Sequence, residues 1–437
     1  MKDLFDLAEY AQNVAREFGA QESTMYVSQS VSTELSQREK KIEKTQQSNS
    51  KSLSCSLLVD GRYSTHSISD IRPQAIRDFL RRAVDATRYL EEDPNRGLLP
   101  REEMGFSLLD LELCDSTQRN TDDQLRALNQ LEEACFSACN HLDVRSVTVS
   151  TWDVSSTILK LCSNGYSVDW KSSQYGYGTE VTLVGENGRL PEAYNYYQAR
   201  HLGDLPRMDL IAQELAQKGE RRLHSSAMES AQLPMLLDRR VVSRMLSVLF
   251  QAINGSEIYE QRSCLQKKLG EKIGADGLNI WSDPLIPRAL GSKISDGDGM
   301  EAKKLSILDA GVLQNFLISV YNGRRLAMPH TTGDLGNIII PAGTRSVEEI
   351  LKGKERAVVV EGFLGGNSNH TTGDFSFGIN GALFERGEFV KGLSEMNVSG
   401  NLFSLLENWS ESANDPWTFS SYRVPSIVFE NMQFSGT

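Results

Sequence analysis

Apolar and polar positions alternate along this chain in two rhythms, and the switches between them divide it into units. Over residues 3 to 18 the apolar residues return every three or four positions, with Leu4, Leu7, Ala8, Ala11, Val14, Ala15 and Phe18 on one stripe, which predicts an amphipathic helix. From Thr24 to Ser69 the texture turns to Ser, Thr, Gln and Val. Leu53, Cys55 and Leu57 alternate there before Asp60-Gly61, a pair suited to a tight hairpin. Pro73 then opens a second helix whose Ile76, Phe79, Leu80, Ala83, Val84, Thr87 and Leu90 face one way. A link rich in Pro, Asp, Asn and Gly, Glu92 to Pro100, closes this first unit.

A similar order of elements returns, without sequence identity that would establish a duplication. Thr121-Asp-Asp-Gln124 reads as a capping box ahead of Leu125, Leu128, Leu131, Cys135 and Ala138. Strands are expected at Val144 to Trp152, Ser155 to Ser163, Ser167 to Lys171 and Gly178 to Val184, the last ending at Asn187-Gly188, with a helix at 204 to 219. A third unit starts near residue 225. Asp238 is placed to cap a helix running through Ile253, which stops at Asn254-Gly255. Glycine-punctuated strands follow, with turns at Asp309-Ala-Gly311 and Glu385-Arg-Gly387, a short helix at Leu402 to Trp409 and a closing strand around Ile427 to Phe429. The class is α+β. Two small units of helix and antiparallel sheet, residues 1–105 and 106–222, precede a larger strand-rich domain, residues 223–437.

Composition narrows the function. With 437 residues, 39% hydrophobic and 24% charged, the chain is an ordinary globular one. A net charge of -12 and no basic cluster larger than Arg38-Glu-Lys-Lys41 argue against a nucleic-acid surface. Asp3, Asp6 and Glu9 interrupt the N-terminus, so it is no secretory segment, and the apolar run Val241 to Ile253 carries Arg244 and is too short to span a bilayer. A cytoplasmic protein with reduced thiols is expected. Cys135 and Cys139, four residues apart on a helix, read as small apolar packing groups rather than metal ligands.

No zincin helix, nucleophile elbow or Walker loop is present. Asp296 and Asp298 begin like a calcium loop, but Glu301 stands where that loop needs glycine, so a tight turn is expected. The pentapeptide His330-Thr-Thr-Gly-Asp334 recurs as His370-Thr-Thr-Gly-Asp374. Three readings of this pair are open. His330, Asp334, His370 and Asp374 could jointly bind Zn, Mn or Fe, making a stand-alone metal-dependent hydrolase. Thr-Gly-Asp could simply supply two turns with φ > 0 at glycine. Lastly, the short polar groups Asn367, Asn369, His370, Thr371 and Ser376 on glycine-flexible backbone could hold an extended peptide or a partner's loop.

Several motifs, taken in order, match a known family. They are Asp60-Gly-Arg-Tyr-Ser64, Pro234-Met-Leu-Leu237, Asn254-Gly255, Lys268-Leu-Gly-Glu-Lys-Ile273, Leu290-Gly-Ser-Lys293, Asp296-Gly-Asp-Gly299, Asp309-Ala-Gly-Val-Leu-Gln-Asn-Phe316, Thr332-Gly333 and Thr372-Gly-Asp-Phe-Ser-Phe-Gly378. Over nearly its whole length the chain resembles the TldD/PmbA family, whose members carry the name modulators of DNA gyrase. The resemblance implies a cytoplasmic proteolytic system of two related subunits, TldD and PmbA (also called TldE), acting on peptides and small unstable proteins such as antitoxins and microcin precursors. It implies that the catalytic member holds zinc through His-Glu-x-x-x-His on a helix and a C-terminal Cys. Here Leu246, Ser247 and Gln251 stand at the equivalent positions counted back from Gly255, no His lies between His224 and His330, and no Cys follows Cys264.

The resemblance is therefore to the subunit without the zinc site. It implies that zinc resides in a TldD-like partner, that this chain is inactive without it, and that Asn367, Asn369, His370, Thr371, Thr372, Gly373, Asp374, Phe375 and Ser376 shape a surface for peptide or partner. A non-proteolytic homodimeric binding protein is the remaining alternative.

Overall fold

A computed structural model describes residues 2–436. The N-terminal half runs α1 (Lys2–Glu17), β1 (Glu22–Arg38), β2 (Lys41–Val59), β3 (Arg62–Ile68) and α2 (Pro73–Thr87), then α3 (Thr121–Ala138), β4 (Val144–Cys162), β5 (Ser167–Leu183), β6 (Glu192–Ala199) and α4 (Met208–Leu223). The C-terminal half continues through β7 (Ala231–Leu237), α5 (Val242–Ala252), α6 (Gly255–Tyr259), β8 (Ile280–Asp283), β9 (Leu305–Asp309), β10 (Val312–Leu313), α7 (Val320–Leu326), β11 (Asn337–Ile339) and α8 (Val347–Lys352). It ends with β12 (Arg356–Ser368), β13 (Asp374–Glu385), β14 (Glu388–Asn401), α9 (Leu402–Glu407), β15 (Trp409–Ser412), β16 (Tyr422–Arg423) and β17 (Ile427–Ser435). The α+β class and the strand-rich C-terminal region are as the residue pattern predicts. No helix among the described residues is long and apolar enough to cross a membrane.

The two N-terminal units have the same order of elements and share one sheet, β3-β2-β1-β4-β5-β6. Its centre is the antiparallel pair β1 and β4, in register from Thr24 opposite Cys162 to Arg38 opposite Thr148. One unit is thus the other turned about an axis between these strands, and residue 105 divides no sheet. Separate cores remain at the two ends: α1 and α2 pack under Met25, Leu53 and Leu57, while α3 and α4 pack under Val147, Val149 and Val181. The four short strands read from the sequence over 144–184 are really two long ones, because the polar residues near Asp153 and Ser172 are paired across the ladder.

Local signals hold well where they involve near neighbours. Asp60 and Gly61 adopt φ 50° and 73° and close the hairpin from β2 to β3. The box on α3 sits one residue earlier than expected: Asn120 accepts from the Asp123 amide at 2.9 Å, and Asp123 accepts from the Asn120 amide at 3.1 Å. Asp238 does not cap α5, which starts at Val242. Its carboxylate is held by Arg240.

In the C-terminal half, strands run in the order β14-β13-β12-β7-β17-β15, and an added pairing of β14 with β17 closes five of them into a ring. Met235, Leu237, Phe377, Val398 and Phe434 from this ring share one core with Met245, Leu246 and Leu249 of α5. A five-stranded sheet, β10-β9-β8-β11-β16, completes this half.

Candidate functional site

The doubled pentapeptide falls in two unlike settings. Its first copy follows α7. Thr331 Oγ1 donates to the Phe316 carbonyl at 2.7 Å, Asp334 pairs with Lys293 at 2.5 Å, and Gly333 has no positive φ. The second copy forms the tip of the hairpin between β12 and β13, with Gly373 at φ 86°. Only this copy has the left-handed glycine expected of both.

His370 Nε2 donates to the Glu257 carboxylate at 2.9 Å, and the His370 carbonyl receives the Cys264 amide at 3.0 Å. Burial works against the Glu257 carboxylate, but bonds from Arg262 and His370 hold it below the ordinary range. Asp374 is tied to Asn401 and Thr372, which lower its carboxyl in the same way. The copies therefore have different partners and do not build one centre. Among the described residues no group of three or more His, Cys, Asp and Glu side chains is placed to hold a metal ion.

The hairpin tip satisfies much of itself. Asn369 accepts from the Thr371 amide at 2.9 Å, Gly373 donates to the Asn369 carbonyl at 2.7 Å, and Thr372 Oγ1 donates to Asp374 at 2.7 Å. Thr371 Oγ1 reaches the Arg262 carbonyl at 3.0 Å. Gly373 is buried, and Phe375 faces the core, stacked on Phe377 with centroids 5.8 Å apart. Asn367 and Ser376 sit opposite each other across the hairpin, exposed, and their side chains have no partner among the described residues. Just before them Gly366 takes φ 94°; a Cβ there would lie 2.3 Å from the Ser376 carbonyl oxygen, so only glycine fits this bulge.

The neighbouring helix α5 carries the positions equated with zinc ligands. Leu246 is 2% exposed in the core, Ser247 Oγ donates back to the Arg244 carbonyl at 2.7 Å, and Gln251 faces solvent. No imidazole or thiolate is offered by these positions, and they do not fit a zinc ion.

Residue patterning missed a second cluster, beside the start of α5. A cavity of about 330 Å³ opens between β6, α4, α5 and β12. Ile211, Leu215, Lys218 and Arg222 follow helical spacing on α4, so Lys218 occupies a position where the stripe calls for an apolar residue. That interruption is the signal that sequence alone could have offered. Lys218 is 8% exposed; Nζ donates to Asn195 Oδ1 at 2.5 Å and to the Tyr194 carbonyl at 3.2 Å, which is open because β6 is an edge strand. Burial, together with the charge of Arg240, pushes its ammonium down to about 7, although Asp238 and Glu361 oppose the shift.

Around it lies a chain of ion pairs. Arg240 grips Asp238 through two bonds of 2.8 and 2.7 Å and reaches Glu214 at 2.9 Å, which in turn accepts from Tyr197 at 2.5 Å. Burial opposes ionisation of Asp238, but Arg240 outweighs it and keeps the carboxyl well below its usual range. Glu361 of β12 is bonded to Arg221. Trp417 packs on Tyr197 and under the Arg239 and Arg240 guanidiniums. The arrangement locks α4 of the N-terminal half onto β7, α5 and β12 of the C-terminal half.

Two family models described as metallopeptidase domains match this chain. Residues 25–87 match the family model of PmbA/TldA metallopeptidase domain 1, and residues 230–436 match that of the PmbA/TldA metallopeptidase C-terminal domain. A Bacteroides thetaiotaomicron protein that bears the name modulator of DNA gyrase is 32% identical, superposes with a TM-score of 0.93 and is covered over 100% of both chains. Metalloprotease PmbA of Escherichia coli O157:H7 is 26% identical over 94% of this chain and 91% of its own length. TldE from Thermococcus kodakarensis shares the fold, with a TM-score of 0.88 at 19% identity, over 98% of this chain and 100% of that one. The chain belongs to the PmbA/TldD family.

Proposed function

We propose that this chain is the PmbA/TldE-type subunit of a cytoplasmic TldD/TldE metalloprotease, and that it completes or gates a chamber in which peptides and small unstable proteins are cleaved. Zinc in that complex belongs to a TldD-like partner carrying His-Glu-x-x-x-His. The observation that carries this reading is α5, which keeps its place in the core while Leu246, Ser247 and Gln251 offer no metal donor. The full-length likeness to proteins named PmbA and TldE supports it. The exposed pair Asn367 and Ser376 on the hairpin from β12 to β13 is the contact we assign to peptide or partner, since the rest of that tip is engaged in its own turn.

Reconstitution tests the reading. The purified chain is expected to leave an unstructured peptide intact alone and to support its cleavage when mixed with a TldD-like protein, with Asn367→Ala or Ser376→Ala reducing that support. Hydrolysis by the isolated chain with about one zinc bound per chain, abolished by His370→Ala, is the result that refutes it.

A further inference from the structure

The cavity beside Lys218 carries a charge and hydrogen-bond pattern that the subunit role does not call for. Charge there is lopsided. Arg240 is matched by Asp238 and Glu214, and Glu361 by Arg221, but Lys218, Arg222 and Arg244 also line the cavity and pair with no carboxylate among the described residues. Arg222 and Arg244 spend their bonds on the backbone carbonyls of Glu192 and Gly366. This local excess of cations stands in a chain whose net charge is -12.

Hydrogen bonding is lopsided in the same sense. Asn195 is 5% exposed, and its Nδ2 has no partner; the buried Nε of Arg222 has none either. Both residues line the cavity. Lys218 has used two of its three N–H donors. The first turn of α5 also borders the space through Val241 and Ser243, with no side-chain cap and no acidic residue in that turn, so its amide end favours negative charge. Both of these buried unpartnered atoms are donors, and unmet buried donors are costly, so the complementary ligand is an acceptor and, beside the unpaired cations, an anion. The remaining wall is aromatic, formed by Tyr194, Tyr196, Phe363 and Trp417, and the volume lies at the small end of the roughly 300–1,000 Å³ range for small-molecule sites.

We propose that this cavity binds an organic carboxylate carried next to an apolar or aromatic group, seated between Asn195, Lys218 and Arg222. Two sources present that chemistry: the free C-terminus of a peptide and a small free acid. A bare phosphate would satisfy the donors but leave the aromatic wall in water.

The test is calorimetric titration of the full-length chain, alone, with N-acetyl-Ala-Phe, with 3-phenylpropionate, with the amide of each and with inorganic phosphate. We expect at least one acid to bind no less than tenfold more tightly than its amide, and Arg222→Gln and Asn195→Leu each to weaken that acid about tenfold. Preference for the dipeptide acid assigns the cavity to peptide ends, and preference for phenylpropionate assigns it to free acids; both support the proposal. Equal binding of acid and amide, displacement of the acid by equimolar phosphate, or full affinity in both variants overturns it. The acid-against-amide comparison uses the unaltered chain and does not depend on the variants folding. No partner is present, so failure here leaves the protease-subunit reading standing.

Discussion

Replacing Lys218 by methionine removes an ammonium from the buried face of α4 while keeping an unbranched side chain of similar reach. In the folded chain that ammonium titrates near 7 rather than at its ordinary 10.5. At 1.36 kcal/mol per pKa unit, holding it charged costs the native state about 5 kcal/mol at acidic pH. Methionine escapes this cost but leaves Asn195 Oδ1 and the Tyr194 carbonyl without their donor, a loss of about 1–2 kcal/mol each. The variant should therefore be more stable than the parent by about 1–3 kcal/mol at pH 6.

The sign of the pH dependence is the sharper readout. Between the folded and unfolded values the unfolded chain holds a proton that the folded one has released, so parent stability rises with pH through that window, whereas below pH 7 both states are charged and the penalty is complete. Relative to the variant, the parent should gain about 2 kcal/mol between pH 7 and pH 9. Urea unfolding followed by tryptophan fluorescence at pH 6, 7, 8 and 9 measures this, and other titrating groups cancel in the comparison. Curves that stay parallel over the whole range would refute the buried, near-neutral lysine.

Three further outcomes follow from the same structure. Arg240→Met strands the Asp238 carboxylate and takes from Glu214 one of its two arginine partners, and should cost about 3–5 kcal/mol in urea unfolding, part of which Asp238→Leu in the same chain restores. Gly366→Ala must set a Cβ at φ 94° against the Ser376 carbonyl and should lose about 2–4 kcal/mol, whereas Gly365→Ala, at φ 68° with open space around it, should lose only about 1 kcal/mol; thermal unfolding separates the two. Burial pushes the Cys55 and Cys135 thiols up to about 12 and Cys139 up to about 11, so an aromatic disulfide reagent at pH 8 should reach these, and buried Cys162, only on unfolding, while the half-buried Cys114 and Cys264 react first.

What could be read from the chain alone was local in origin. The stripe from Leu4 to Phe18, the turn at Asp60-Gly61 and the helix opened by Pro73 depend on residues within a few positions of one another, and each forms as its pattern requires. The family, too, was legible, because its motifs are strings in a fixed order. Tertiary structure decided the rest. Only pairing of β1 with β4, more than a hundred residues apart, makes one sheet of two units. Only folding brings Glu214 of α4 to the local pair of Asp238 and Arg240, and only different neighbours send two identical pentapeptides to different ends, one held by Phe316 and Lys293, the other by Glu257 and Asn401. Lys218 is the clearest case. Its position on the stripe of α4 was visible in the sequence, but its burial and its weakened hold on a proton come from β6, β12 and the start of α5 closing around it, and no stretch of chain contains that information by itself.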